Sequence, residues 1–206
     1  MNRSRTTPNK RKTILPLLQS SPIIASAKDE AGLARALASE CQTVFILYGS
    51  ILTIGDIIGR VKATGRNAFI NVDMVDGLST RPAASKFIHY MTAVDGILSS
   101  KAPVVRAARE QGLLTVMRLF MIDSFAYDQM VDQVAASQAH AVEVLPGCIP
   151  RVITWIREDI NLPIVAGGLV CDEADVHAAF DAGAAAVASS NADVIALAGK
   201  TGLTTP

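Results

Sequence analysis

Three strongly polar residues sit in or at the end of apolar runs. Asp73 closes Ala68-Phe69-Ile70-Asn71-Val72, Arg118 lies in Leu114-Thr115-Val116-Met117-Arg118-Leu119, and Glu143 lies in Ala141-Val142-Glu143-Val144-Leu145. Charge in a buried strand is costly, so each needs a partner or a purpose. Carboxylates accept from hydroxyls and a guanidinium donates to oxygen, so the three could ring a small polyol. Arg118 and Glu143 could equally satisfy only each other as an internal ion pair. Lys101 follows the run Asp95-Gly96-Ile97-Leu98-Ser99-Ser100. A solvated lysine is its plain reading, since a Schiff-base nucleophile needs a desolvated site and an acid–base partner.

A second group suits an anion. Pro163-Ile164-Val165-Ala166 runs into Gly167-Gly168, and Ala185-Ala186-Val187-Ala188 runs into Ser189-Ser190-Asn191. Glycine lets an oxygen-rich group approach the backbone, and serine hydroxyls with free N–H groups can hold it. Tight turns with helix caps would use the same residues. His89, His140 and His177 do not cluster, and no spacing for a metal site, a P-loop or a nucleophile elbow is present. No metal and no cofactor are expected.

These residues need a frame. Short apolar runs near residues 22–25, 43–48, 68–73, 95–100, 114–119, 141–145, 163–169 and 185–191 alternate with helical patterns. Ile54, Ile57, Ile58 and Val61 show the i, i+3, i+4, i+7 face of one such helix. Asp29 and Ser124 stand at cap positions, Gly65 and Gly183 at stops, and Pro150 at a first turn. The helix that Ser124 can cap carries Met130, Val131 and Val134, and Ile14 to Leu18 suits a short helix closing the bottom of a barrel. Eight alternating units predict α/β architecture, a (βα)8 TIM-type barrel of parallel strands. The length is compact for a barrel, leaving room for a reduced or missing helix; an open doubly wound sheet is the alternative. In a barrel the last two βα loops commonly hold phosphate, and every candidate above falls near a C-terminal strand end.

The 206 residues are 50% hydrophobic and 18% charged with a formal net charge of zero. This predicts one domain over residues 14–199, between a basic arm at 1–13 and a tail at 200–206. Arg3, Arg5, Lys10, Arg11 and Lys12 make that arm a solvated tail on its plain reading, and a flexible basic arm that touches phosphates, as of a nucleic acid, on its functional one. Overall neutrality argues against a generally basic nucleic-acid binder. No apolar run approaches a membrane span, and Cys41, Cys148 and Cys171 are odd in number and scattered. Reduced thiols in a cytoplasm are expected.

Several blocks together resemble the glycerol-3-phosphate-responsive antiterminator family, the glycerol uptake operon antiterminators. They are Asn71-Val72-Asp73-Met74-Val75-Asp76-Gly77-Leu78, Arg118-Leu119-Phe120-Met121-Ile122-Asp123-Ser124, Glu143-Val144-Leu145-Pro146-Gly147, Ala166-Gly167-Gly168-Leu169 and Ser189-Ser190-Asn191. The likeness covers roughly residues 15–197. It implies a regulator that binds glycerol 3-phosphate, or a related phosphate ester, and acts on a messenger RNA leader to prevent early termination. Carried over, Gly167, Gly168, Ser189 and Ser190 would hold the phosphate, and Asp73, Arg118 and Glu143 the glycerol end. Lys101, Gly147 and Asn191 complete the ligand set. Where this chain has Ser99-Ser100-Lys101 the family favours threonine or arginine; lysine donates as a point charge rather than a fork.

Two other readings stand beside this one. In an isomerase or lyase of small phosphorylated metabolites, Asp73 or Glu143 would be the base. A phosphate-binding barrel could also lack RNA activity. A homo-oligomer is compatible with all three.

Overall fold

The computed structural model describes residues 13–200. Eight parallel strands close on themselves in sequence order: β1 (Ile23–Ala27), β2 (Thr43–Ile46), β3 (Asn67–Asn71), β4 (Gly96–Ser99), β5 (Leu114–Phe120), β6 (Ala141–Leu145), β7 (Ile164–Gly167) and β8 (Ala186–Ser189). The expected TIM-type barrel is therefore the fold. Strand side chains alternate between two apolar compartments, as a period of two requires. Ile24, Phe45, Phe69, Leu98, Val116 and Val165 fill the barrel interior. Their neighbours Ile23, Val44, Ile70, Ile97 and Met117 pack outward under the helices.

Around the sheet lie α2 (Glu30–Ala38), α3 (Ile54–Ala63), α4 (Pro82–Met91), α5 (Ala102–Glu110), α6 (Ser124–Asp128), α7 (Met130–Ser137), α8 (Pro150–Asp159), α9 (Glu173–Asp181) and α10 (Ala192–Ile195). Before them, α1 (Leu15–Ser20) places Ile14 and Leu18 in the interior cluster and so plugs the bottom. Asp29 caps α2 by accepting from Gly32 N, as expected. The reduced helix is the eighth: α10 has four residues and continues only as a 3-10 turn.

Local differences from the sequence reading have local causes. Strand β3 stops at Asn71, whose side chain accepts from Asp73 N at 3.0 Å, so Asp73 sits in a 3-10 turn and not on the strand. Asp123, not Ser124, caps α6, because its carboxylate reaches Ala126 N at 2.8 Å. The expected single helix after β5 is two, α6 and α7, and Val131 turns to solvent while Met130 and Val134 are buried. Residues 1–12, with Arg3, Arg5, Lys10, Arg11 and Lys12, lie outside the described residues, as do 201–206.

Candidate functional site

The period that fills the barrel with Val116 and Leu114 also turns Arg118 inward one step higher on β5. On β6 it turns Glu143 inward above Ala141. The two residues are register partners, and Arg118 Nε donates to Glu143 Oε2 at 2.6 Å. Burial pushes the Glu143 carboxyl above its ordinary range, against the pull of the Arg118 guanidinium. The space this carboxylate occupies exists because β7 offers no side chain there. A Cβ on Gly167 would stand 2.9 Å from Glu143 Cγ and collide with its carboxylate.

Above the pair opens a cleft of about 600 Å³ at the C-terminal end of the barrel. Arg118, Glu143, Gly168, Ser189, Ser190 and Asn191 all line it. After β7 the chain turns back through two consecutive left-handed residues, Gly168 at φ +71° and Leu169 at φ +58°. Only the first is free of a Cβ penalty there, which gives Gly168 a backbone role at the cleft wall. The Ser189 hydroxyl donates to Val170 O at 2.8 Å and accepts from Asn191 N at 3.1 Å. Asn191 Oδ1 accepts from Asp193 N at 2.8 Å. The Ser189 side chain ties the β8 loop to the β7 loop and Asn191 caps α10, leaving Ser190 as the neighbouring hydroxyl on the cleft.

The remaining candidates are placed around this centre. Lys101 is exposed and lines a smaller hollow of about 270 Å³ that shares Arg118 with the main cleft. Asp73 uses both carboxylate oxygens on the β4 loop, accepting from Ser99 Oγ and from Ser100 N, each at 2.6 Å. It thus shapes the loop that carries Lys101. Gly147 is packed against the β7 turn, its N–H donating to Gly168 O at 2.9 Å, and a Cβ there would stand 2.6 Å from Gly167 N.

Sequence reasoning passed over two cleft residues. Lys28 follows β1 and is exposed at the rim, and Ser26 lies on the wall below it. Lys28 stands beside a cap residue, in a place where lysine is usually solvated, so its neighbours in sequence do not mark it. The parity of β1 could have marked Ser26, since Ile24 points into the barrel. Outside the cleft lining, Asn71 was also passed over: it shares the inward face of β3 with Phe69, is fully buried, and its Nδ2 has no partner among the described residues. An unpaired buried donor is costly unless water or a ligand reaches it.

The cleft therefore brings together two cations (Lys28 and Arg118), one buried carboxylate, hydroxyls and a glycine turn. This set can bind a small anion that also carries hydroxyl groups. Among the described residues no three His, Cys, Asp or Glu side chains are grouped to hold a metal ion, and no helix is long and apolar enough to cross a membrane.

Comparison with known proteins gives concordant results. Residues 23–195 match the family model described as "Glycerol-3-phosphate responsive antiterminator". Over 187 residues the chain is 43% identical to the uncharacterized protein YgcP of Escherichia coli (strain K12), covering 91% of this chain and 98% of that one. The glycerol uptake operon antiterminator regulatory protein of Listeria monocytogenes str. 4b F2365 superimposes with a TM-score of 0.80 at 26% identity, covering 90% and 95% of the two chains. A glycerol uptake operon antiterminator-related protein of Thermotoga maritima MSB8 does so with 0.75 at 27%, covering 85% and 98%. The chain belongs to the glycerol-3-phosphate responsive antiterminator family.

Proposed function

We infer that this protein is a cytoplasmic RNA-binding regulator whose effector is glycerol 3-phosphate, acting without a cofactor on the leader of messages for glycerol metabolism. The observation that carries the reading is the cleft composition within a family of that description. The phosphate would meet Lys28, the Gly168 turn and Ser190. The glycerol hydroxyls would meet the Arg118–Glu143 pair.

Regulation requires that the effector bind the RNA-competent state more tightly than the idle one, because equal affinity shifts nothing. Leader-RNA affinity measured with and without glycerol 3-phosphate tests this; equal values in the two conditions would remove the regulatory reading. A melting screen against glycerol 3-phosphate, inorganic phosphate and glycerol isolates the ligand step. At 100 times its dissociation constant a ligand adds about 2.7 kcal/mol. Stabilisation with no RNA response would favour a phosphate-binding barrel without RNA activity.

The enzyme reading is less well supported by the same geometry. Asp73 has both oxygens engaged by the β4 loop, and one Glu143 oxygen accepts from Arg118, so a base on this cleft would have to be the remaining Glu143 oxygen, with no second acid–base group of the cleft beside it among the described residues.

A further inference from the structure

On the outer wall beside the cleft, α8 presents a stripe of opposite charges about an aromatic centre. Arg151, Trp155 and Asp159 recur at i, i+4 and i+8 and all three are exposed. The Arg151 guanidinium lies over the Trp155 ring, 4.8 Å from its centroid. Asp159 accepts from the Tyr127 hydroxyl at 2.5 Å, and Tyr127 meets Trp155 edge-on at 6.0 Å. Between α6 and α8 an apolar groove of about 590 Å³ continues this face through Ile122, Val152 and Trp155.

The charges on the stripe oppose the dipole of their own helix. Arg151 stands in the first turn, where anions are favoured, and Asp159 in the last, where cations are favoured. Arg157 does not correct this on the stripe, since its side chain packs toward Gly183 at the end of α9.

We propose that this face joins two copies of the chain, with α8 packed antiparallel to its symmetry mate across a two-fold axis at Trp155. At 1.5 Å rise per residue, Arg151 and Asp159 lie about 6 Å to either side of Trp155 along the helix. An antiparallel pair centred there sets Arg151 of each copy opposite Asp159 of the other. Each charge also gains the favourable end of a neighbouring helix dipole. An isologous contact requires such self-complementarity.

Charge complementarity argues for this occupant, and the face also offers apolar surface at its centre: Ile122 is 83% exposed and Trp155 41%. An RNA partner fits this face poorly, because Asp128, Glu158 and Asp159 surround Tyr127 and Asp123 lines the groove.

Sedimentation equilibrium of the full chain tests the proposal, together with emission of its sole tryptophan. The wild type is expected to be a dimer at micromolar concentration, with Trp155 emission shifting to the red on dilution. Arg151→Asp, a change at an exposed residue whose guanidinium lies over the Trp155 ring, is expected to weaken association at least tenfold, and Asp159→Arg likewise. The double variant R151D/D159R restores the opposite-charge pairing and is expected to recover the dimer. A monomeric wild type, a dimer indifferent to Arg151→Asp, or a folded double variant that stays monomeric would each overturn the proposal.

Discussion

Arg118 Nε lies 2.6 Å from Glu143 Oε2, on registered neighbours of β5 and β6, with the two side chains 10% and 4% exposed. Removing one member of such a pair strands the other charge in the barrel. Arg118→Met is expected to destabilise the fold by about 3–5 kcal/mol, whereas R118M/E143L should recover most of that loss. Urea titration of both variants checks the energies. If the pair also meets the ligand, the stable double variant will still fail to gain melting temperature from glycerol 3-phosphate.

The same burial has a pH signature. Burial raises the Glu143 carboxyl above its ordinary value, with Arg118 opposing. A carboxyl whose folded pKa exceeds its unfolded one holds its proton more tightly in the folded state. Its stabilising contribution is therefore full below the ordinary carboxylate range and lost as pH rises through the folded value. Wild-type stability relative to Glu143→Gln should decline across that window. A difference that stays level would show that Arg118 fully compensates the burial.

Lys28 is an exposed cation on the rim of the cleft. Lys28→Ala is expected to change stability by less than about 0.5 kcal/mol. A charged hydrogen bond is worth about 1.5–3 kcal/mol, so affinity for glycerol 3-phosphate should fall roughly ten- to a hundredfold. Calorimetry of wild type, Lys28→Ala and Lys28→Arg resolves this, and unaltered affinity in the alanine variant would move the phosphate elsewhere.

Two glycines mark places where a methyl group has no room. A Cβ on Gly96 would stand 2.6 Å from Leu114 O and drive into the Phe69 ring, and one on Gly167 would displace the Glu143 carboxylate. Overpacking of this kind costs about 1–3 kcal/mol. Gly96→Ala should lower thermal stability while leaving effector affinity intact, and Gly167→Ala should lower both. Equal behaviour of the two would argue against the placement of Glu143 behind Gly167.

Much of the frame is written in local pattern. The alternation of Phe69 with Ile70, and of Val116 with Met117, sorts side chains between the barrel interior and the helix layer without reference to the rest of the chain. Strand ends are less legible. Asn71 ends β3 by accepting from Asp73 N, and an asparagine beside a valine does not announce that choice. The cap of α6 moved from Ser124 to Asp123 for a similar reason, since both residues can cap and only the entry angle of the chain selects one.

By itself the sequence determined the barrel, because eight short apolar runs separated by amphipathic helices leave few other ways to bury them. It also marked Arg118 and Glu143 as charges in buried strands that need a partner or a purpose, and it carries the family motifs. Only the tertiary structure decided which residues share the cleft. Lys28 and Gly168 are 140 positions apart and meet there because β1 and β8 close the barrel. Side-chain allegiance was likewise beyond local pattern: Asp73 is spent on the β4 loop, and the Ser189 hydroxyl on Val170 O. Hydrogen bonds are settled by distances of a few ångströms between distant segments, and those distances exist only once the sheet has closed.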